Sequence, residues 1–233
     1  MSLIRKGLVV VSAFLAAASV AQADKRTEDR TVSAFSTIRV EGGIDVSLSQ
    51  SGRARVTVEA EDDSLEDVIT VVEDGELRIS RARSSGFRVF GGGAVVHVEF
   101  AQLSGIEASG GSDIDGRGEI RLDDLSIGAS GGSDIDLDVQ AKRIEFRVSG
   151  GSDIDLQGST DSLEITASGG SDVSAGKLAA SRVKLLLSGG SDAIVNAKEA
   201  IEVDASGGSD VRILGNPAQR TVNNDRSSGV SWR

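Results

Sequence analysis

The stretch that decides the fold is IEFRVSGGSDIDL, residues 144–156. Apolar and polar residues alternate on both sides of its central Gly-Gly pair, which is the period of a β-strand with one buried face. Carried through the motif, this parity points the side chains of Val148, Gly150, Ser152, Ile154 and Leu156 inward. The same parity points the aspartates outward. The inward glycine and serine predict a corner with room for small side chains only.

The SGGSD motif of this stretch occurs six times, starting at Ser109, Ser130, Ser149, Ser168, Ser188 and Ser206. Successive copies are 21, 19, 19, 20 and 18 residues apart. No segment between copies has the length or the 3.6-residue period of a crossover helix. A unit of this size buries its apolar face only by stacking on its neighbours. The repeat therefore predicts an all-β chain, a parallel β-helix (solenoid) with coils of about 20 residues.

The N-terminal half is less regular. Residues 38–48 form one repeat with a degenerate motif, and Val71–Ile79 is predicted to be a hairpin with Asp74 and Gly75 as its turn. Before this half lies a predicted signal peptide, residues 1–23, with a positive start, a 13-residue apolar stretch and Ala21-Gln22-Ala23 at its end. The remaining chain divides into a leader (24–33), a β-helix domain (34–215) and a C-terminal tail or cap (216–233). We expect an exported protein, periplasmic or displayed at the cell surface, with no membrane span after cleavage.

Composition excludes several classes of protein. The 233 residues include 25 Lys and Arg against 36 Asp and Glu, a formal charge of −11, with one His and no Cys. The predicted signal peptide holds two bases and no acids, so its removal leaves 36 acids and 23 bases, a net −13. The acidic balance argues against a nucleic-acid partner. The absence of Cys excludes disulfides and thiolate metal sites.

Stacked repeats turn one motif residue into a column on the outer face. We call the first predicted column the aspartate column; it consists of Asp113, Asp134, Asp153, Asp172, Asp192 and Asp210. A second column begins with Asp115, Asp136 and Asp155 and then changes to Ser174, Ile194 and Arg212. Carboxylates about 4.8 Å apart repel each other by about 0.9 kcal/mol in water, so something must offset the charge.

Two explanations for this offset remain open. Calcium is available outside the cell and prefers several oxygen ligands, so one candidate is a calcium site where the columns run side by side. Its ligands would be Asp113, Asp115, Asp134, Asp136, Asp153 and Asp155. The simpler alternative is that each aspartate and its preceding serine accept hydrogen bonds from the Gly-Gly bend, with water screening the rest. No other cofactor is expected.

The segment Gly43-Ile44-Asp45, the DGELRIS stretch at residues 74–80 and the repeated SGGSDI together resemble a bacterial family, putative auto-transporter adhesin, head GIN domain. The family motif is a Gly-Ile-Asn-like tripeptide, and this chain has Asp45 in place of the Asn. The resemblance covers about residues 34–215. It implies a right-handed parallel β-helix that is exported and has no established enzymatic activity.

The expected function is binding rather than catalysis: an adhesin-like or envelope scaffold protein that holds a carbohydrate or protein ligand on its acidic face. One alternative is a polysaccharide lyase or hydrolase, since paired carboxylates can serve as acid and base. Such a pair needs unlike environments, whereas these carboxylates are repeated copies in similar surroundings. A second alternative is a calcium-stabilised structural protein of the envelope.

Overall fold

The computed structural model describes residues 25–61, 64–82 and 93–233. The predicted signal peptide lies outside the described residues. The described chain contains no α-helix and 17 strands. They are β1 Lys25–Arg30, β2 Thr37–Glu41, β3 Asp45–Gln50, β4 Arg55–Glu61, β5 Val68–Glu73, β6 Glu76–Arg81, β7 Val95–Phe100, β8 Gly105–Ser109, β9 Ile114–Arg121, β10 Asp124–Ser130, β11 Asp134–Ser149, β12 Asp153–Ser168, β13 Asp172–Leu187, β14 Asp192–Ala205, β15 Asp210–Leu214, β16 Gln219–Asn224 and β17 Gly229–Trp232.

From β8 onward the chain winds into a solenoid of parallel strands. Coils follow one another about 19 residues apart, and the whole solenoid has about seven turns. Each of β11, β12 and β13 is 16 residues long and pairs in parallel with the same segment of the next coil. The predicted all-β parallel β-helix is therefore confirmed.

The core is a set of apolar columns that run along the solenoid axis. One column stacks Ile127, Phe146, Ile165, Leu185 and Val203, each a register partner of the next. All five side chains are at most 1% exposed. Because one coil encloses only a narrow interior, branched aliphatic side chains fill it and aromatic residues are rare. Close packing of this interior makes the sheet rigid, so the side chains on its outer face are held at fixed positions.

The N-terminal part is irregular in a specific way. Strands β5 and β6 form the predicted hairpin, in which Asp74 and Gly75 both have positive φ, 50° and 79°. Strands β4 and β7 are antiparallel, and β1 pairs with β4. Spatial order also departs from chain order, since β2 lies between β6 and β8 and β3 lies between β7 and β9. The first repeat in the sequence is thus not the first coil of the solenoid.

The C-terminal residues add one more coil. Strand β16 pairs in parallel with β14, and β17 pairs in parallel with β15. Positions 225–229 form its corner, with Ser228 next to Ser209 and Gly229 next to Asp210. The guanidinium of Arg220 lies 4.4 Å from the ring centre of Trp232 at this end of the solenoid.

Candidate functional site: the aspartate column

Each of the six SGGSD corners contains two successive glycines with positive φ. At the corner of the third motif, Gly150 and Gly151 have φ of +71° and +70°, in the left-handed region that glycine adopts without strain. A Cβ on Gly150 would lie 3.1 Å from the backbone nitrogen of Gly131 in the preceding coil. The sequence parity that pointed Gly150 inward is wrong, because this residue is exposed. Backbone conformation, rather than a narrow interior, requires the glycine pair.

The serine after each glycine pair does point inward. The six motif serines at this position, Ser112, Ser133, Ser152, Ser171, Ser191 and Ser209, are 0% exposed. The Ser171 N–H donates to Ser191 Oγ of the next coil at 3.3 Å, and Ser191 Oγ in turn donates to the Ser188 carbonyl of its own corner at 3.0 Å. This buried polar column is hydrogen-bonded and fixes the register of the residue that follows it.

That following residue is the aspartate, and the structure brings the predicted members into one line. Asp134, Asp153, Asp172 and Asp192 are successive register partners. At the two ends, Asp113 precedes Ile114, the partner of Ile135, and Asp210 precedes Val211, the partner of Ala193. The members of the aspartate column therefore follow one another at the spacing of adjacent strands, about 4.8 Å.

Sequence reasoning did not assign Asp45 to this column. Val46 is the register partner of Ile114, which places Asp45 beside Asp113. The signal that could have revealed this was the Gly42-Gly43 pair, whose φ values of +85° and +68° match the later corners. The tripeptide Gly43-Ile44-Asp45 thus belongs to the first corner along the chain that has a left-handed glycine pair. In this corner Ile44 takes the position of the buried serine.

At the opposite end the column stops at Gly229. Its N–H donates to Asp210 Oδ1 at 3.1 Å, and a Cβ there would lie 2.5 Å from the same oxygen. The Asp210 N–H likewise donates to Asp192 Oδ1 at 3.1 Å. Asp192 and Asp210 therefore accept backbone hydrogen bonds from the next coil rather than from their own Gly-Gly bend. These bonds offset part of the repulsion between the carboxylates.

The second column runs beside the first. Asp115, Asp136 and Asp155 are register partners, and the line continues through Ser174 and Ile194 to Arg212. Between the two columns lies an open groove of about 440 Å³, lined by carboxylates of both columns from Asp113 to Asp172. Acidic charge is therefore densest over the coils where the two columns are complete.

Burial and repulsion between carboxylates both raise the pKa of two aspartates in the column. Burial raises the pKa of Asp113, and the charges of Asp134 and Asp45 raise it further. Burial likewise raises the pKa of Asp172, with a contribution from Asp153 and Asp192. Each of the two also accepts a backbone hydrogen bond from the next aspartate, which lowers the pKa. Asp113 and Asp172 are therefore harder to ionise than a free aspartate, as expected for partly buried groups with like charges beside them.

Within the described ranges, no group of three or more His, Cys, Asp or Glu side chains is arranged to hold a metal ion. A column spreads its carboxylates along a line, whereas calcium needs six to eight oxygens around one point. The six-residue calcium site stays a prediction that binding measurements must test.

In the described part of the chain no helix has the length and apolar character needed to cross a membrane.

Several solved structures share this fold. A putative adhesin from Bacteroides fragilis superposes with a TM-score of 0.81 at 20% identity, over 91% of this chain and 98% of that one. A putative adhesin from Parabacteroides merdae gives 0.71 at 19% identity, over 90% and 96%. A putative lipid binding protein from Parabacteroides distasonis gives 0.70 at 15% identity, over 90% and 97%. No curated protein matches the chain.

At these identities the solved structures establish the fold alone. The family comparison goes further, since a single family model matches residues 34–217, from just before β2 to just before β16. That range includes Asp45 and the entire aspartate column. The chain belongs to the family described as putative auto-transporter adhesin, head GIN domain.

Proposed function

We propose that this chain is an exported, non-enzymatic, adhesin-like protein that binds a ligand of the cell surface or envelope through its acidic face. The observation that carries the proposal is the pair of parallel carboxylate columns on a rigid sheet, exposed along an open groove. A flat array with a repeat of about 4.8 Å suits an extended ligand that makes the same contact many times. Family membership supports export and a binding role.

The electrostatics support binding rather than acid–base catalysis. A catalytic pair needs two carboxylates whose pKa values are pushed apart by unlike environments. Here the same causes raise the pKa of Asp113 and of Asp172, and both lie in copies of one motif. The ligand chemistry that fits is a cationic group, or an anionic carbohydrate or protein bridged to the face by calcium.

A capture experiment from envelope extracts tests the acidic face. The bait is the purified protein, compared with a triple variant Asp134→Asn, Asp153→Asn, Asp172→Asn. The matched control is Glu145→Gln, Glu164→Gln, Glu202→Gln, which removes three charges from another outward-facing column of the solenoid. We expect the first variant to lose the ligand and the control to keep it. Equal capture by both variants would exclude the acidic face as the binding surface.

Two further measurements separate this proposal from its alternatives. Millimolar calcium should raise the melting temperature if the column binds the ion, since a ligand of the folded state stabilises it by mass action. An unchanged midpoint removes calcium from the proposal and leaves direct binding of a cationic ligand. Incubation with acidic polysaccharides should give no new reducing ends or unsaturated uronates. Product formation would overturn the non-enzymatic assignment.

A further inference from the structure

The outer face beyond Asp172 differs from the acidic groove because the second column loses its carboxylates there. That column continues through Ile194 and Arg212, which are register partners on β14 and β15. Beside them lie Asp192 and Asp210, the last two members of the aspartate column. These four side chains line a second open groove of about 470 Å³, which we call the C-terminal groove. It therefore combines two carboxylates with one guanidinium and one apolar side chain.

The guanidinium of Arg212 has no ion-pair or hydrogen-bond partner among the described residues. Arg78 illustrates the alternative, in which an arginine bonds the acidic residue two positions earlier: its Nε lies 2.7 Å from Glu76 Oε1. Asp210 precedes Arg212 by the same two positions, but its side chain is one methylene shorter and its Oδ1 accepts the Gly229 N–H. The planar guanidinium of Arg212 therefore lines the groove with its donors free for a carboxylate.

The two carboxylates of the groove are anchored on one side and open on the other. Asp192 Oδ1 accepts the Asp210 N–H and Asp210 Oδ1 accepts the Gly229 N–H, both at 3.1 Å. Both side chains are exposed, and within the described ranges neither has an ion pair or a donor to its second oxygen. These second oxygens can accept hydrogen bonds from an ammonium group, the strongest kind of donor for a carboxylate.

The spacing of the groove suits a small molecule. Residues 210 and 212 are two apart on β15, which puts their Cα atoms about 6.7 Å from each other, and β14 lies about 4.8 Å to one side. Ile194 is half-buried and borders the space between the opposite charges. Gly229 keeps the last corner open, since a Cβ there would lie 2.5 Å from Asp210 Oδ1. The volume is within the range of small-ligand sites in proteins.

We propose that the C-terminal groove binds a small zwitterion whose ammonium and carboxylate are joined by a short apolar chain. The ammonium contacts the free oxygens of Asp192 and Asp210, and the carboxylate contacts Arg212. The chain between them packs on Ile194. The lining of the acidic groove contains carboxylates and no basic residue, so it repels the anionic end of such a ligand. The inference is independent of the function proposed above, because it requires no ligand on the two complete columns.

Three matched probes test the proposal on the native protein by isothermal titration. Nα-acetyl-lysine carries both charges, Nα-acetyl-lysinamide lacks the carboxylate, and Nα-acetyl-norleucine lacks the ammonium. We expect Nα-acetyl-lysine to bind about threefold or more tightly than either of the other two. General attraction to the acidic protein gives the opposite order for the first pair, since the amide keeps a net positive charge. An amide that binds as tightly as the acid, or no binding of Nα-acetyl-lysine, would overturn the proposal.

Two substitutions assign each charge of the ligand to its partner. Arg212→Gln should make the amide bind more tightly than the acid, whereas Arg143→Gln, which removes an exposed guanidinium paired with Asp124, should keep the native order. Asp210→Asn can still accept its backbone hydrogen bond and should reduce the preference for lysine over norleucine. Asp204→Asn neutralises an exposed aspartate outside the groove and should not reduce it. A reversed order in Arg143→Gln, or an unchanged order in Arg212→Gln, would refute the role of Arg212.

Backbone amide chemical shifts locate the bound probe. With Nα-acetyl-lysine, the largest changes should fall on residues 192–194 and 210–212, which line the C-terminal groove. Residues 134–136 and 153–155 line the acidic groove and should change little. Changes confined to the acidic groove would overturn the proposal, because the ligand would then bind the complete columns.

Discussion

Neutralising one aspartate in the middle of the column should stabilise the protein. Asp172 lies between Asp153 and Asp192, and each neighbour at about 4.8 Å contributes about 0.9 kcal/mol of repulsion in unscreened water. Screening at about 0.15 M salt, where the Debye length is about 8 Å, leaves about half of this. Asp172→Asn should therefore raise the free energy of unfolding by about 1 kcal/mol at pH 7, because asparagine can still accept the backbone hydrogen bond.

The pH dependence of this gain gives the prediction its sign. The folded-state pKa of Asp172 is raised above its ordinary value of 3.8, so the folded protein binds this proton more tightly than the unfolded chain. The resulting stability is fully present below pH 3.8 and is lost as the pH rises through the folded-state pKa. Asp172→Asn has no carboxyl at this position, so it does not lose stability as the pH rises. Its advantage should therefore appear at neutral pH and vanish at about pH 3.

Thermal unfolding followed by circular dichroism measures the effect. A gain of about 1 kcal/mol corresponds to about 2–4 °C in melting temperature for a domain of this size. The control is Asp204→Asn, because the column neighbours of Asp204 are Leu186 and Asn223 and carry no charge. An unchanged or lower midpoint for Asp172→Asn at pH 7 would refute the reasoning. A gain that persists at pH 3 or in 1 M salt would do so as well.

Two further substitutions test the corners from which the column is built. Ser191→Ala should lower the free energy of unfolding by about 2–3 kcal/mol, because the buried Ser171 N–H loses its acceptor. Urea denaturation measures this loss, and the control is the same substitution at the exposed Ser188. A loss for Ser191→Ala no larger than that for Ser188→Ala would contradict the prediction. Gly207→Ala, at φ +70° with a Cβ 2.8 Å from a backbone nitrogen, should cost more than about 2 kcal/mol. Gly52→Ala, at φ +78° with no atom near the new Cβ, measures the cost of the left-handed backbone conformation alone. Equal melting temperatures for Gly207→Ala and Gly52→Ala would argue against a steric cost from the neighbouring coil.

The hairpin and the inward serines were predictable because their signals are local. Asp74-Gly75 between two apolar runs specifies a turn by the positive φ that both residues adopt. Alternation through the motif placed Ser152 and Ile154 inside, as observed. The same alternation failed at Gly150, because two left-handed residues in succession do not follow the two-residue period of an extended strand.

The ends of the column were harder to predict. Asp45 follows a corner whose serine has been replaced by Ile44, so a search for the intact motif passes over it. The last corner keeps Ser228 but has Gly229 where the other corners have aspartate. The 19-residue step from Asp210 to Gly229 was the remaining signal. At the first corner the left-handed glycine pair persists after the motif has changed, whereas at the last corner only the parallel register persists.

The sequence by itself determined the coil, its period and the line of carboxylates. A residue repeated once per coil must stack on its own copy, because parallel strands pair in register to keep the apolar face buried. Only the tertiary structure decided the order of the first coils, in which β2 and β3 pair with β8 and β9 across some 70 residues of chain. It also decided that β1 pairs with β4 and is attached there by ion pairs such as Lys25–Glu59. Such pairings depend on which distant edges remain free after the local strands have formed, and no local pattern records that.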